Sequence, residues 1–394
     1  MSNDMLSRVR ALLPRIWDRA EEADRQRRVP AETIAELADA GVFRLLQPKR
    51  YGGDEHNPAA LYKSVRAIAS ACPSSGWVAS LLGVHPWQIS LFDERAQDDV
   101  WKSTPEALVS SSYAPTGKLT QVEGGFRLSG RWSFSSGSDH CQWVLLGTLC
   151  SRGEGEPPEY LTALVPRSDY TVDDVWDVIG LSGTGSNDIV IEDAFVPAHR
   201  TYSSLEQDRL QGPGQAVNTA PIYRLPFGMV FSYAISNAIV GAAEGAYTAH
   251  VDRMKKRVRL SYGVQKVAED PFTHVRVARA AGEIEAAILT LDHNVAEQTR
   301  YVESGAPIPE RLRLRARRDQ VLGTERALRA IEILFENSGG HSIKRGNPIE
   351  RHWRDAHAGT VHVINDVEQA LAMYGRGEFG VPIDASSSTW SWVW

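Results

Sequence analysis

The spacing of hydrophobic side chains changes twice along the chain, and this constrains the fold more than any other feature of the sequence. The spacing is helical over the first hundred residues, alternating from about Leu108, and helical again beyond Pro226. A period near 3.6 residues predicts helices, whereas alternation in short segments between turns predicts strands. The sequence therefore predicts an α+β fold in which two helical regions flank a β region.

These patterns divide the chain into a helical N-terminal domain at 1–106, a central β domain at 107–220 and a helical C-terminal domain at 221–394. Beyond a first helix around residues 6–16, helices are predicted at 30–41, 61–71, 76–92, 227–258, 273–303, 309–337 and 348–374. Strands are predicted at 108–112, 119–122, 125–135, 143–148, 160–166 and 189–196. The helix at 227–258 is rich in Gly and Ala, which predicts close helix packing within the chain or between subunits.

Composition argues against several functional classes. The formal net charge is -6 at pH 7, which gives no reason to expect nucleic acid or an anionic membrane as a partner. No window approaches the roughly 18 uninterrupted apolar residues of a membrane span. Cys72, Cys141 and Cys150 lack CxxC spacing, and the histidines at 352, 357 and 362 are five apart, which spreads them around a helix. We expect a cytoplasmic protein with no disulfide framework and no metal site.

A loop rich in Gly, Ser and Thr precedes the last predicted strand. It reads Ser182-Gly183-Thr184-Gly185-Ser186-Asn187. Such a loop lets backbone N–H groups and small hydroxyls approach a flat or anionic ligand. It lacks the Lys of a phosphate-binding P-loop and the strand-to-helix context of a dinucleotide fingerprint. A loop of this kind is more often a plain turn, so its meaning depends on its neighbours.

Four segments, in order along the chain, resemble landmarks of the acyl-CoA dehydrogenase superfamily. They are LADAGVFRLLQPKRYGGDEHNP at 37–58, GGFRLSGRWSFSSGSDHCQW at 124–143, VIGLSGTGSNDIVIEDAFVP at 178–197 and FENSGGHSIKRGNPIERHWRDAH at 335–357. The resemblance spans nearly the whole chain. It implies a helical N-terminal domain, a central β-barrel-like domain that contacts a flavin ring, and a C-terminal four-helix bundle.

One fold can support several chemistries, and the C-terminal region distinguishes between two of them. Acyl-CoA dehydrogenases commonly carry a catalytic Glu shortly after an Arg-Asp-Ala motif. Here Arg354-Asp355-Ala356 is followed by HAGTVHVIND, which holds no Glu, and Val363 stands at about the expected position. The carboxylate that would remove a proton next to a thioester is therefore missing.

Other stretches resemble the group D flavin-dependent aromatic hydroxylases of the same fold, particularly those that hydroxylate a steroid-ring phenol. These stretches are SSSYAPTG, GLSGTGSN, ARRDQV, and WRDAHAG followed by VH. The segment GRGEFG at 375–380 departs from the pattern of these hydroxylases. The substrate therefore stays open between a steroid, another phenol and an indolic ring.

The resemblance implies the oxygenase component of a two-component monooxygenase. Its cofactor would be reduced flavin, FADH2 or FMNH2, which reacts with O2 to a C4a-hydroperoxide and oxygenates an electron-rich aromatic substrate. A separate NAD(P)H–flavin reductase would supply the reduced flavin, and the chain would assemble as a homotetramer. The alternatives are an acyl-CoA dehydrogenase or oxidase, an N-oxygenase of this fold, and a flavin-binding protein without catalysis.

The same resemblance implies three catalytic residues. His362 corresponds to the base of the hydroxylases, and an imidazole of near-neutral pKa suits removal of a phenol proton, an effect of about 10²–10⁴-fold. Ser136 would contact flavin N5, the hydroperoxide or the substrate, and His85 would line the active site. For both imidazoles the alternative is an ordinary structural histidine.

Residues that would bind the flavin come from five segments. They are Trp77, Ser111, Ser112, Ser135, Ser136, Thr184, Ser186, Asn187 and Arg259. A guanidinium suits the flavin phosphate, and Arg257 is the rival to Arg259 for that role. The structural alternatives are a core aromatic for Trp77, turn or strand residues for the serines, and a solvated helix end for Arg259.

Overall fold

The computed structural model describes residues 2–151, 155, 158–204, 206, 210–260 and 265–383. Its N-terminal part contains the helices α1 (Ser2–Asp18), α2 (Ala20–Gln26), α3 (Ala31–Asp39), α4 (Pro58–Ala71), α5 (Pro73–Ile89) and α6 (Glu94–Trp101). Proline begins both α4 and α5, where its missing N–H costs no helical hydrogen bond. Every residue of α5 is buried, so this helix runs through the interior and can line an internal site.

The central region forms one seven-stranded sheet. Its strands are β1 (Val109–Val122), β2 (Gly125–Ser135), β3 (Trp143–Cys150), β4 (Glu159–Pro166), β5 (Thr171–Asp173), β6 (Asn187–Pro197) and β7 (Thr201–Ser203), in the spatial order β5-β6-β2-β1-β3-β4-β7. Strands β1 and β3 are parallel, and the other neighbours are antiparallel. One face covers its own apolar cluster around Trp132, and the other turns Leu145 and Leu164 towards the helices. Ser135 pairs with Asn187, which places the residues after β2 beside the loop before β6.

The C-terminal part is a bundle of long helices. It contains α7 (Phe227–Met254), a ribbon of β8 (Val258–Arg259) and β9 (Gln265–Lys266), then α8 (Pro271–Glu303), α9 (Glu310–Ser338), α10 (Pro348–Thr360) and α11 (Val367–Glu378). A β-carbon on Gly241 would lie 2.4 Å from the Arg66 carbonyl oxygen on α4. A β-carbon on Gly245 would lie 2.2 Å from His352 Nε2 and 2.3 Å from the Ser70 carbonyl oxygen. The small residues of α7 therefore permit close packing within the chain.

The helices and strands predicted from the sequence are found with small shifts at their ends, with two exceptions. The strands predicted at 108–112 and 119–122 form one strand, β1, whose register with β3 shifts between Ser112 and Gly117. The single helix predicted at 348–374 is wrong, because α10 ends at Thr360 and α11 begins at Val367. The intervening run is rich in β-branched residues, which disfavour a helix. His362 therefore lies on a turn.

The helices from both ends of the chain share one apolar core. A single cluster of buried side chains includes Val9 on α1, Val78 on α5, Ile239 on α7 and Ile364 in the turn after α10. The division of the chain at 1–106, 107–220 and 221–394 stays a prediction. Among the described helices, none combines the length and the apolar character needed to cross a membrane.

We expect Gly245→Ala to lower the free energy of unfolding by about 3 kcal/mol, because its methyl group would collide with the His352 ring and the Ser70 backbone. The matched control is Gly282→Ala in α8, whose methyl group would meet nothing within 4 Å. This control should be neutral or gain up to about 1 kcal/mol from the better helix propensity of Ala. Chemical denaturation measures both, and equal stabilities would contradict the packing described.

Candidate active site

Four buried side chains form a continuous hydrogen-bonded chain where α5, the end of β2 and the loop before β6 meet. The Trp77 Nε1–H donates to Ser136 Oγ over 3.3 Å, and Ser136 Oγ lies 2.7 Å from Ser186 Oγ. Ser186 Oγ lies 2.7 Å from Thr184 Oγ1. All four side chains are buried. The structure thus joins three segments that the sequence marked separately as flavin-binding.

The loop that carries Thr184 and Ser186 has an unusual backbone. Leu181 and Gly185 both adopt positive φ, +55° and +52°, on either side of a short turn at Ser182–Thr184. The Leu181 N–H donates to Asp355 Oδ1 over 2.7 Å, and the Leu181 carbonyl accepts from Trp176 Nε1 over 3.0 Å. A positive φ at a leucine is strained and persists only when surrounding contacts hold it. These contacts fix the loop.

Asp355 is the buried carboxylate that holds this loop. Its Oδ1 faces the Arg354 guanidinium at 3.4 Å, and its Oδ2 is buried with no hydrogen-bond partner among the described residues. Burial raises the pKa of Asp355 to about 6, and the positive charge of Arg354 opposes that effect. The carboxylate is therefore costly to keep ionised, which indicates that its position serves the loop.

His362 lies on the turn after α10 and contacts the Trp77 ring edge-on, with 5.7 Å between ring centroids. Its Nδ1 accepts a hydrogen bond of 3.2 Å from the Ile364 backbone N–H. Burial, with a smaller effect of the Arg317 guanidinium, lowers the pKa of His362 to about 4. A neutral imidazole whose Nδ1 accepts carries its proton on Nε2. His362 therefore presents an N–H donor.

A second layer of amides fixes the turn beneath His362. Gln320 Nε2 donates to Asn365 Oδ1 over 2.8 Å, and Asn365 Nδ2 donates to the Gly359 carbonyl over 2.9 Å. The Asn365 backbone N–H donates to the His362 carbonyl over 2.8 Å. Arg317 donates to Gln320 and completes this layer. The imidazole is thus held on a turn with little freedom to move.

In His85 the hydrogen bond at Nδ1 runs in the opposite direction to that in His362. It is fully buried on α5, and its Nδ1 lies 2.6 Å from the Val109 carbonyl oxygen, which can only accept. The ring proton therefore sits on Nδ1, and Nε2 is a buried acceptor without a partner among the described residues. Burial lowers the pKa of His85 to about 4, partly offset by the bond to Val109. His85 is thus neutral and offers an unused lone pair.

A cluster of three aromatic rings adjoins His85 through Phe231. Phe231 stacks near its imidazole with 6.5 Å between centroids, and Phe227 stacks on Phe231 at 5.1 Å. Tyr113 lies edge-on to both phenylalanines, and its hydroxyl donates to Gln88. Flat rings packed in this way suit an aromatic ligand, since edge-to-face contacts are favourable beyond the area they bury.

Four exposed apolar side chains adjoin, in sequence, the segments that carry the hydroxyl chain and His362, and we call them the apolar rim. Its residues are Phe134, Ile179, Val361 and Val363, and all of them are exposed. Ile179 is 87% exposed and Val361 is 85% exposed, which is unusual for side chains of this size. Buried hydroxyls next to an exposed apolar rim match a flat ring with polar edge atoms, such as an isoalloxazine.

The structure places the other predicted flavin-binding residues in supporting contacts. Ser112 donates to the Ser133 carbonyl over 2.6 Å, and Ser135 donates to Ser110 Oγ over 3.1 Å. Asn187 Oδ1 accepts from the backbone of residues 175 and 176. Ser111 is buried and interacts with the Tyr113 hydroxyl. These residues shape the strands behind the site.

The two arginines considered for a phosphate lie near the ribbon that follows α7. Arg259 Nη1 forms an ion pair of 3.1 Å with Asp270, and its side chain is partly exposed. Arg257 donates to the carbonyls of Asn337 and Ser338, at 3.1 and 2.9 Å. Arg257 is therefore occupied by the end of α9, whereas Arg259 uses only Nη1 for an ion pair among the described residues.

Several residues that build the site carried no usable signal in the sequence. The backbone of Leu181 and the backbone N–H of Ile364 act through main-chain atoms, which residue identity does not reveal. Asp355 belongs to the Arg354-Asp355-Ala356 motif, so the sequence identifies the residue but not its contact with Leu181. Phe227 and Phe231 looked like ordinary positions on a helix.

Two family models match the chain: "Acyl-CoA dehydrogenase, N-terminal domain" over residues 3–101 and "Acyl-CoA dehydrogenase, C-terminal domain" over residues 233–367. The chain is 48% identical to the flavin-dependent monooxygenase, oxygenase subunit HsaA, of Rhodococcus jostii (strain RHA1), across 96% of this chain and 99% of that protein. The crystal structure of 3-HSA hydroxylase from Rhodococcus sp. RHA1 matches with a TM-score of 0.94 and 47% identity, covering 98% of each chain. The chain belongs to the oxygenase subunits of flavin-dependent monooxygenases.

A more distant relative is also the oxygenase component of a flavin-dependent hydroxylase. The FADH(2)-dependent resorcinol hydroxylase, oxygenase component, of Rhizobium sp. (strain MTP-10005) is 35% identical across 96% of this chain and 94% of that protein. The family resemblance stated from the sequence and the acyl-CoA dehydrogenase-like α+β fold are therefore confirmed.

We expect Asp355→Asn to change the pH dependence of stability in this oxygenase subunit. The pKa of Asp355 is raised from 3.8 to about 6, so between these values the folded state binds a proton more readily than the unfolded chain. The stability of the wild type therefore falls, through this group, as pH rises from about 4 to 6. The asparagine lacks this charge, so the variant should gain about 2–3 kcal/mol relative to the wild type over that range and keep it above pH 6.

Urea denaturation between pH 4 and 8 measures the stability difference. The control is Asp54→Asn, which makes the same substitution at an exposed carboxylate. A difference between Asp355→Asn and the wild type that stays constant from pH 4 to 8 would show that the buried carboxyl carries no such cost.

Proposed function

We propose that the protein is the oxygenase component of a two-component monooxygenase that hydroxylates a phenol or another electron-rich aromatic ring, including an indolic one. The observation that carries this proposal is the pair of neutral imidazoles at the site. His85 offers a buried acceptor, and His362, against Trp77, offers a donor. A hydroxylation of this kind is helped by an acceptor for the hydrogen bond of the phenolic O–H and by a donor towards oxygen.

Reduced flavin, FADH2 or FMNH2, is the cofactor that fits these residues. When bound, it supplies the electrons that activate O2 for transfer of one oxygen atom to the aromatic ring. Ser136 would hold the polar edge of its ring, supported by Trp77, Ser186 and Thr184 through the hydroxyl chain, and the apolar rim would cover its faces. Arg259 would hold the phosphate, since a guanidinium fork suits that group.

His85 would accept the hydrogen bond of the phenolic O–H. Its Nε2 lone pair is buried and free of other partners among the described residues, so a phenol can satisfy it at no competing cost. Accepting that hydrogen bond raises the electron density of the ring and makes its carbon a better nucleophile. The aromatic residues Tyr113, Phe227 and Phe231 would hold the ring beside it.

His362 would donate from Nε2–H. The sequence favoured a base at this position, but a base there would have to hold a second proton while Ile364 still donates to Nδ1. Burial and Arg317 also oppose a positive charge on the ring. We therefore assign the acceptor role to His85 and a donor role towards oxygen to His362.

A separate NAD(P)H–flavin reductase would deliver the reduced flavin. We further propose a homotetramer, because the C-terminal region exposes several large apolar side chains that another copy could cover. These are Leu260, Phe272, Val275, Leu289 and Ile343. A location in the cytoplasm fits the spacing of the three cysteines, which shows no CxxC pair and no disulfide framework.

The activity test supplies the purified protein with FADH2 or FMNH2, O2 and a panel of phenols and indoles. We expect a product that carries one oxygen atom from O2, detected by mass spectrometry with ¹⁸O2. Formation of hydrogen peroxide alone across the panel would contradict the proposal. Anaerobic bleaching of bound FAD by an acyl-CoA would instead establish a dehydrogenase.

The two histidines should respond differently to pH. His85→Ala should lower hydroxylation of a phenol by about 10²-fold at pH 7, and the defect should shrink as pH approaches the phenol's own pKa near 10, where the substrate is already ionised. In the wild type, His85 stays neutral above its pKa of about 4, so it should cause no inflection in kcat/KM between pH 5.5 and 8.

His362→Ala is the matched variant, and its defect should not shrink as pH rises. Product formation per flavin oxidised, measured from pH 6 to 10, separates the two patterns. A defect in His362→Ala that disappears at high pH, together with a constant one in His85→Ala, would reverse the assignment of roles.

A further inference from the structure

We propose that a directed chain of hydroxyl groups makes Ser136 a hydrogen-bond acceptor, and that this gives the site a preference for reduced over oxidised flavin. The inference rests on the proposed function, because it requires flavin beside Ser136. It concerns Thr184 and Ser186, which act on the flavin through Ser136.

The chain begins at an indole and ends at a backbone carbonyl. Trp77 Nε1 lies 3.3 Å from Ser136 Oγ, Ser136 Oγ lies 2.7 Å from Ser186 Oγ, and Ser186 Oγ lies 2.7 Å from Thr184 Oγ1. Thr184 Oγ1 then lies 2.8 Å from the carbonyl oxygen of Leu181. Every hydroxyl in the chain is buried, so bulk water cannot reorient it.

The two ends of the chain determine which way each hydrogen points. An indole N–H can only donate, and a carbonyl oxygen can only accept. Each hydroxyl has a single hydrogen, so Thr184 must give its hydrogen to Leu181 and accept from Ser186. Ser186 must then accept from Ser136. The hydrogen of Ser136 is consequently used inside the protein.

Ser136 therefore has only acceptor capacity left. A hydroxyl oxygen has two lone pairs, and the Trp77 N–H occupies one of them. The second lone pair remains available to a ligand. A ligand atom that donates a hydrogen bond is therefore favoured next to the Ser136 oxygen, and a ligand atom that only accepts is disfavoured there.

Reduced and oxidised flavin differ in this respect at ring atom N5. The reduced ring carries a hydrogen on N5, whereas the oxidised ring has a bare lone pair there. A Ser136 oxygen that can only accept stabilises reduced flavin at N5 and repels the N5 lone pair of oxidised flavin. One hydrogen bond of ordinary net strength corresponds to roughly tenfold in affinity.

The terminal carbonyl is held in place by the surrounding structure. The Leu181 backbone has a φ of +55°, its N–H donates to Asp355, and its carbonyl also accepts from Trp176. The direction of the chain is therefore anchored in the C-terminal bundle, through Asp355.

Thr184→Val tests the direction of the chain. Without the threonine hydroxyl, Ser186 gives its hydrogen to Ser136, and the hydrogen of Ser136 becomes free to donate to a ligand. We expect the ratio of the dissociation constants of oxidised and reduced FMN to fall about tenfold, measured by anaerobic equilibrium ultrafiltration in both redox states. Thr184→Ser keeps the hydroxyl and should keep the wild-type ratio within twofold.

Two further variants keep the test independent of how well Thr184→Val folds. Ser186→Ala breaks the chain one link earlier and should lower the ratio in the same way. Ser136→Ala removes the acceptor itself. It should therefore lower the ratio by raising the dissociation constant of reduced FMN above that of Thr184→Ser.

Ratios within twofold of the wild type in Thr184→Val and Ser186→Ala, with circular dichroism unchanged, would overturn the inference. If the wild type hydroxylates a substrate while these ratios stay unmoved, only the inference fails. If the wild type binds FMN and FAD in neither redox state, the proposed function fails together with it.

Discussion

The hydrogen bond from the Leu181 backbone N–H to the buried carboxylate of Asp355 joins the central sheet to the C-terminal bundle. It holds a leucine at positive φ and depends on a carboxyl whose pKa is raised by burial. Both features are unfavourable locally, and such features persist where function requires a fixed geometry. The loop that this bond helps to fix carries Thr184 and Ser186, so a contact between distant parts of the chain supports the hydroxyl chain and its direction.

Most of the fold could be predicted because the elements are long and their periodicity is strong. Helix α5 is apolar on all sides, and its length and the Pro73 at its start still identify it as a helix. The helix predicted at 348–374 failed because helical spacing continues across Thr360 to Ile364, while the β-branched residues there and the Asp366 cap favour a break. Two short strands, β5 and β7, have only three residues each and carry no usable pattern.

The candidate site could be predicted in its residues but not in its connections. Ser136, Ser186 and Thr184 were singled out as separate flavin contacts, and only the structure shows that they form one chain. The reason is physical, since hydrogen-bond direction depends on the partners of each atom and not on the residue type. For the same reason the sequence could not show which ring nitrogen of His85 and of His362 carries the proton, because an imidazole can donate or accept at either nitrogen.

The break between α10 and α11 lies where acyl-CoA dehydrogenases commonly carry their catalytic glutamate. An acyl-CoA dehydrogenase needs a carboxylate here to remove a proton, and a glutamate could serve from a helix or a turn. An imidazole that must donate needs its other nitrogen occupied by a donor, and inside a regular helix the backbone N–H groups are already bonded to carbonyls. Ending α10 at Thr360 frees the Ile364 N–H to bind Nδ1 of His362. The β-branched run that defeats the helix prediction therefore places a neutral histidine with a fixed proton next to the position of the missing glutamate.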